Sequence, residues 1–149
     1  MPGLLILAHA PLATALRQVA GHVFPERLDR VLALDVVPDA LPEQVEAQAR
    51  ALLVPLEGEQ ILLLTDVFGA TPSNVAQRLT DGVDVRLVTG VNVPMLWRLL
   101  SHLEEPLESL VGRAVAGGGQ GVMQIAVQRP QNQALNSRLH DQSHAQHQQ

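Results

Sequence analysis

Short aliphatic runs alternate with longer amphipathic stretches along most of the chain. The aliphatic runs occupy residues 4 to 8, 31 to 36, 61 to 65, 85 to 89 and 122 to 127. They are continuous rather than alternating, which is typical of strands buried on both faces of a parallel sheet. Helical patterns fall near residues 12 to 23, 42 to 54, 73 to 80, 94 to 103 and 106 to 115. This order predicts an α/β fold, a single domain with a mainly parallel sheet and helices on both faces.

The composition fits one such domain followed by a polar tail. The chain has 149 residues, of which 46% are apolar but only 2% aromatic. Leu, Val, Ala and Ile must therefore fill the core, as they do in layered α/β proteins. The end of the chain is rich in Gln, Asn, His and Ser and has no sustained period. We predict a folded domain over residues 1–129 and a disordered tail over residues 130–149.

Residue types that the chain lacks exclude several kinds of chemistry. It has no Cys, which removes thiolate nucleophiles and Cys-ligated metal sites and favours a cytoplasmic location. Its ten basic residues are all Arg, which excludes P-loop and Schiff-base lysines. A net charge of −5 without a basic run argues against nucleic acid as a partner. No signal peptide or membrane-spanning run is present, so we expect a soluble protein without membrane insertion, metal or organic cofactor.

Two polar residues follow directly after apolar runs, where α/β proteins place their functional groups. His9 follows the first run and Asp66 follows the third. If these strands are neighbours, the carboxylate and the imidazole meet at the crevice where the winding direction of the chain reverses. An Asp bonded to one ring nitrogen fixes the tautomer and leaves the other nitrogen as a nucleophile. The alternative is a structural, half-buried histidine and an ordinary loop carboxylate.

Proline stands near the predicted start of three helices. The turns read His9-Ala10-Pro11, Gly69-Ala70-Thr71-Pro72 and Val91-Asn92-Val93-Pro94. Proline is favoured there because its missing N–H has no intrahelical partner at that position, and the following N–H groups can bind an anion. We expect Thr71 and Asn92 to cap their helices and Asp39 to cap the second helix, whereas Ala10 has no capping group. Alternatively, the prolines only mark ordinary loops.

Three blocks of the sequence resemble the enzyme IIA component of the mannose family of the bacterial phosphotransferase system. They are His9, residues 66 to 74 (Asp-Val-Phe-Gly-Ala-Thr-Pro-Ser-Asn) and residues 90 to 96 (Gly-Val-Asn-Val-Pro-Met-Leu). The resemblance covers about residues 3 to 128. It implies that His9 accepts a phosphoryl group from the phosphocarrier HPr and passes it to a IIB component on a separate chain. It also implies that Asp66 bonds the histidine and that the Thr71 hydroxyl helps to hold the phosphoryl group.

On this match the phosphate-binding residues are Gly69, Ala70, Thr71 and Ser73, but the block departs from the family pattern. Ala70 replaces a glycine, Thr71 replaces a serine, and Ser73 stands where a large apolar residue is common. Threonine keeps the hydroxyl group of serine and adds a methyl group, so the departures leave the chemistry intact.

The resemblance further implies a homodimer in which an antiparallel last strand, residues 122 to 127, is exchanged between subunits. Residues 117 to 121, Gly-Gly-Gly-Gln-Gly, would form a flexible crossing segment. A glycine loop followed by an edge strand that stays in its own subunit is the alternative.

Two other functions deserve comparison with the phosphocarrier. A receiver-like domain phosphorylated on Asp66 would need an acidic pair after the first strand and a lysine, and the chain has Ala8 and His9 and no Lys. A regulator that binds a partner according to its phosphorylation state would retain the fold without transporting sugar.

The remaining histidines carry less weight. His22 and His102 suit helix ends, where a histidine is favourably placed against the helix dipole. His140, His144 and His147 lack the surroundings of a specific metal site.

Overall fold

The computed structural model describes residues 1–127, and these form a parallel sheet with helices on both faces. The strands are β1 Gly3–His9, β2 Val31–Val36, β3 Ile61–Thr65 and β4 Val85–Thr89. The α-helices are α1 Leu12–Val23, α2 Pro42–Leu53, α3 Thr71–Leu79, α4 Val93–Ser101 and α5 Leu107–Gln120. Two short 3₁₀ helices span Pro25–Arg30 and Val54–Leu56. The predicted α/β fold is confirmed.

The strand order β2-β1-β3-β4 puts β1 and β3 side by side. Leu7 of β1 pairs with Leu34 of β2 on one side and with Thr65 of β3 on the other, and every pairing is parallel. From β1 the chain crosses to β2 on one side, and β3 then lies on the opposite side of β1. The winding direction therefore reverses between β1 and β3, which is where such sheets leave a crevice at the carboxyl ends of their strands.

Both faces of the sheet are buried, and alternate residues of one strand enter two separate cores. Leu4, Ile6 and Ala8 pack with residues of α1, α4 and α5. Leu5 and Leu7 pack with residues of α2 and α3. Because both faces are covered, neither set of positions tolerates polar residues, which explains why the strand sequence is continuously apolar.

The helix starts partly match the predicted caps. Asn92 caps α4, since its Oδ1 accepts the Met95 N–H at 2.9 Å. Thr71 does not cap α3, because the helix begins at Thr71 itself and Ala70 is the flanking residue. The prediction for Asp39 was wrong: α2 begins at Pro42, whose fixed φ and missing N–H suit the first helical position, and Asp39 lies in the turn before it.

The glycine run near the end of α5 is helical and does not form the predicted flexible crossing segment. α5 continues through Gln120, and Gly117 and Gly118 are buried in it. A Cβ on Gly117 would lie 2.8 Å from the Cβ of Arg98, so the glycine permits close packing of α5 on α4. Residues 122–127 belong to no helix or strand in this single chain. The fifth strand, its direction and its exchange between subunits stay predictions, and the tail beyond residue 127 lies outside the described residues.

Candidate functional site

His9 and Asp66 meet at the crevice between β1 and β3. The ring Nδ1 of His9 lies 2.8 Å from Oδ2 of Asp66, and the main-chain N–H of His9 donates to the same oxygen at 3.0 Å. The other carboxylate oxygen, Oδ1, accepts the N–H of Val67 at 2.9 Å. The last residue of β1 and the first residue after β3 are thus joined by two hydrogen bonds.

This contact orients the imidazole ring. A carboxylate oxygen can only accept, so the nitrogen facing it, Nδ1, carries the hydrogen and Nε2 keeps its lone pair in the neutral ring. The side chain of His9 is 49% exposed, whereas that of Asp66 is 13% exposed. The ring is therefore held at its buried side and open at its outer side, which gives an oriented and accessible nitrogen nucleophile.

The surroundings of Asp66 keep it ionised. Partial burial acts to raise the pKa of its carboxyl group, but bonds from the His9 ring and main-chain N–H, the charge of His9 and the Val67 N–H outweigh that effect. The pKa of Asp66 consequently lies below its ordinary value. At neutral pH the group is a carboxylate that can offset a positive charge on the ring.

The loop after Asp66 leads to a helix end without a side-chain cap. Gly69 has a φ of +90°, in the left-handed region that favours glycine, and Ala70 follows in an extended conformation. No side chain caps α3, and among the described residues the N–H groups of Thr71 and Ser73 have no protein acceptor. Uncapped amides at a helix N-terminus attract anions, because the donors and the helix dipole act together.

The two hydroxyl residues of this helix end differ in accessibility. Thr71 is partly exposed at the first position of α3. Ser73 is fully buried, and its Oγ lies 3.4 Å from Nε2 of Gln77. Its hydroxyl is thus buried, whereas its main-chain N–H belongs to the uncapped end of α3.

A second acidic residue near this edge was missed by the sequence analysis. Asp35 pairs with Ala8 in the sheet register, and its carboxylate holds the start of α1. Oδ1 accepts the Thr14 N–H at 3.0 Å, and Oδ2 accepts the Thr14 hydroxyl. The available signal was a lone charge inside an aliphatic run, next to a helix whose own flanking residues, Ala10 and Pro11, have no capping group.

Arg17 and His102 make structural contacts away from the crevice. Arg17 donates to the Val31 and Leu28 carbonyl oxygens at 2.6 and 3.0 Å, beside the amino end of β2. Nδ1 of His102 lies 2.9 Å from the Arg98 carbonyl oxygen at the end of α4. Within residues 1–127, no three His, Asp or Glu side chains are grouped as metal ligands. His140, His144 and His147 lie outside the described residues.

None of the helices described is long and apolar enough to cross a membrane.

Comparison with known proteins identifies the family. Residues 3–113 match the EIIA-man family model, described as the fructose IIA component of the phosphotransferase system (PTS). The chain belongs to the mannose-type IIA family of the PTS. It is 28% identical over 105 residues to the fructose-specific EIIA component of Bacillus subtilis, covering 70% of this chain and 72% of that protein. It is 31% identical over 123 residues to the mannose-specific EIIAB component of Escherichia coli K12, of which it spans 38%, with 80% of this chain covered.

The fold agrees with that membership. The mannose/sorbose IIA subunit from Enterococcus faecalis superimposes with a TM-score of 0.78 at 22% identity, covering 86% of this chain and 97% of that subunit. Family membership assigns this IIA component a phosphocarrier function. The receiver-like and purely regulatory alternatives find no support in these matches.

Proposed function

We propose that Nε2 of His9 is the atom of this IIA component that carries the phosphoryl group. The single observation that supports this most is the Nδ1–Asp66 contact of 2.8 Å on a half-exposed ring. Of the two ring nitrogens, Nδ1 is engaged, so Nε2 is the one with a lone pair free to attack.

The transfer exchanges one phosphorus–nitrogen bond for another. The Nε2 lone pair of His9 attacks the phosphorus of a phosphohistidine on an HPr-type carrier, and the bond from phosphorus to the donor nitrogen breaks. The donor imidazole departs with the electron pair of the broken bond. In the second transfer, to a IIB component on a separate chain, His9 is the donor. The bond between Nε2 and phosphorus breaks as the bond between phosphorus and the acceptor atom forms. Positioning and charge compensation supply the catalysis, and no metal ion or organic cofactor is required by this balance.

Asp66 orients the ring and compensates its charge. Once Nε2 bears phosphorus, Nδ1 keeps its hydrogen and the ring becomes cationic. The Asp66 carboxylate already accepts that N–H, so no group has to move for the charges to pair. A prepared arrangement of this kind lowers the barrier because its reorganisation precedes the reaction.

We propose that the phosphoryl oxygens bind at the N-terminus of α3. The N–H groups of Thr71 and Ser73 and the Thr71 hydroxyl can donate to them. Gly69 and Ala70 place no long side chain in the way. Among the described residues this helix end has no side-chain cap, which leaves its donors for a bound anion.

The face around His9 suits a basic, partly apolar partner such as an HPr-type carrier. The segments 9–16, 35–49, 66–77 and 89–97 start at or near the carboxyl edge of the sheet, and they contain no arginine or lysine. Exposed apolar side chains occur at this edge at the start of α1 and in the loops after β2 and β3: Leu12, Val37, Leu41, Val67 and Phe68. Cationic groups near the phosphoryl group would therefore come from the partner, which favours electrostatic steering between unlike charges.

The exposed segment after α5 supports the proposed homodimer. Val122, Met123, Ile125 and Val127 are each at least 66% exposed, which is unusual for four apolar residues within six positions. Pairing this segment with a second subunit would bury them, as an exchanged strand does.

Labelling of two histidine variants tests the assignment. The wild-type chain, His9→Ala and His22→Ala are incubated with phosphoenolpyruvate, enzyme I and HPr, and their masses are measured at neutral pH and again after alkaline treatment, which a phosphoramidate survives and an acyl phosphate does not. We expect one acid-labile phosphoryl group on the wild type and on His22→Ala, whose altered histidine lies at the end of α1. We expect none on His9→Ala. Stoichiometric label on His9→Ala, or an alkali-labile group on Asp66, would overturn the proposal.

A further inference from the structure

Two buried hydroxyl residues flank the loop that follows β3, and they are the buried polar residues of the part of the chain that the structure describes. Thr65 is the last residue of β3, Ser73 lies in the first turn of α3, and both are fully buried. Between them lie Asp66 and the loop of the candidate site, residues 67 to 70, which are exposed or partly exposed. A buried hydroxyl is costly unless its hydrogen bonds are made, so this pair needs a physical explanation.

Both side chains enter the layer between the sheet and α3. Leu63 packs in the core that α2 and α3 cover, and Thr65, two residues further along β3, faces the same side. Ser73 precedes Ala76 of that core by three residues, so it shares the sheet-facing side of α3. Since α3 begins at the carboxyl edge of the sheet and packs on β1 and β3, its first turn lies over the last residues of these strands.

The two hydroxyl groups leave hydrogen-bonding capacity unused. The Oγ1 of Thr65 has no hydrogen-bond partner within residues 1–127, and bulk solvent does not reach it. The Oγ of Ser73 accepts the Nε2–H of Gln77 at 3.4 Å, and its own hydrogen has no acceptor among the described residues. The two hydroxyls therefore do not bond each other directly. Buried groups of this kind are commonly satisfied by an enclosed water molecule with two or more polar partners.

We propose that Thr65 and Ser73 bind one ordered water molecule between β3 and the first turn of α3, and that Thr65 thereby positions this turn. The water oxygen accepts the hydrogen of each hydroxyl. It joins the residue before Asp66 to the helix end where we place the phosphoryl oxygens, so the carboxylate and the phosphate-binding amides keep a fixed relative position. Thr65 itself does not touch the reacting atoms. The positioning role rests on the proposed function and deepens it, whereas the water site does not depend on it.

A crystal structure of the full chain and thermal unfolding test the water site without any phosphotransfer. In the crystal we expect an ordered water about 2.7–3.2 Å from both Thr65 Oγ1 and Ser73 Oγ. Thr65→Val and Ser73→Ala should each lower Tm by about 1–4 °C, because each removes a partner of the same water. For that reason the double variant should lie within about 1 °C of the less stable single variant.

Thr89→Val is the matched control for these measurements. Thr89 pairs with Thr65 in the sheet register, but it is exposed at the end of β4, so its Tm should equal that of the wild type. A higher Tm for Thr65→Val would show a dry, unpaired hydroxyl and would overturn the water site. Additive losses in the double variant, or a crystal structure in which no water joins the two hydroxyls, would overturn it as well.

Transfer kinetics test the positioning role. Thr65→Val should lower kcat for transfer from phosphorylated HPr about three- to tenfold with KM unchanged, since Thr65 lies beneath the helix turn and not on the exposed face that meets the partner. Thr65→Ser, which keeps the hydroxyl, should restore kcat to within about twofold of the wild type, and Thr89→Val should match the wild type. If Thr65→Val does not fold, Ser73→Ala, which keeps its main-chain N–H, should show the same fall in kcat.

A wild-type kcat in Thr65→Val, or a kcat that serine does not restore, contradicts the positioning role. Failure of the proposed function is recognised separately, by the absence of label on His9 in the wild type.

Discussion

At the scale of single residues, one carboxylate determines what the histidine can do. Asp66 accepts both the ring Nδ1–H and the main-chain N–H of His9, so it fixes the tautomer and the position of the ring together. The pair could be suggested from the sequence because both residues follow apolar runs. The two distances depend on β1 and β3 being neighbours, which the local pattern alone does not specify.

Replacing Asp66 by Asn should impair transfer more than it impairs folding. The amide can still accept a hydrogen bond, but it cannot offset the charge of a phosphorylated ring. We expect kcat/KM for transfer from phosphorylated HPr to fall about 100-fold, by analogy with the loss of a preorganised electrostatic contact. Asp39→Asn is the control, since Asp39 lies at the same edge of the sheet and makes no side-chain hydrogen bond among the described residues. Equal rates for wild type and Asp66→Asn would refute the role of Asp66.

The same substitution predicts a change in acid stability. The pKa of Asp66 is lower in the folded protein than its ordinary value of 3.8, so its carboxylate stabilises the fold above that pH. This stabilisation is lost as the pH falls through the lower, folded-state pKa. In urea unfolding, the stability difference between wild type and Asp66→Asn should be constant near neutral pH and shrink below pH 3.8. A difference that grows on acidification would contradict the direction of the shift.

At the scale of elements, the sequence predicted strands better than helix ends. Continuous apolar runs identified β1 to β4 because a sheet covered on both faces leaves little choice of residue. Helix ends depend on contacts that are distant in sequence. The carboxylate that caps α1 comes from β2, and the glycines of α5 are explained by its contact with α4 rather than by a turn.

The packing of α5 on α4 gives a stability prediction with an internal control. Gly117→Ala places a Cβ 2.8 Å from the Cβ of Arg98, so one helix must shift, at a cost of about 1–3 kcal/mol. Gly112 lies in the same helix with no atom within 4 Å of such a Cβ. Gly112→Ala should therefore stabilise the protein by about 0.5–1 kcal/mol through helix propensity. Thermal unfolding of both variants measures this, and a stabilised Gly117→Ala would show that the α4–α5 contact is looser than described.

At the scale of the whole molecule, the charges and apolar residues separate into distinct regions. The segments around His9 carry no arginine, whereas Arg17, Arg27 and Arg30 bind carbonyl or carboxylate oxygens elsewhere. Exposed apolar residues occur in two regions that bear on function: the edge of the sheet around the site, with Leu12, Val37, Leu41, Val67 and Phe68, and the segment after α5, with Val122, Met123, Ile125 and Val127. This division suits a carrier that meets charged partners at one face and a second copy of itself at another.

The proposed dimer can be tested by one charge in the segment after α5. Ile125→Glu puts a carboxylate where we propose that a second subunit pairs, and it should shift sedimentation equilibrium toward the monomer. Val115→Glu is the control. Val115 is also exposed, at 62%, but it lies on α5, outside the segment that we propose pairs with a second subunit. A monomeric wild type, or a dimer unaffected by Ile125→Glu, would show that this segment does not form the interface.

The most direct measurement is the identity of the phosphorylated ring nitrogen. After phosphorylation by HPr, ³¹P–¹⁵N coupling in a histidine-labelled sample reports which nitrogen of His9 bears phosphorus. We predict coupling to Nε2, with Nδ1 protonated and still bonded to Asp66. Phosphorus on Nδ1, or on any group other than His9, would contradict the account.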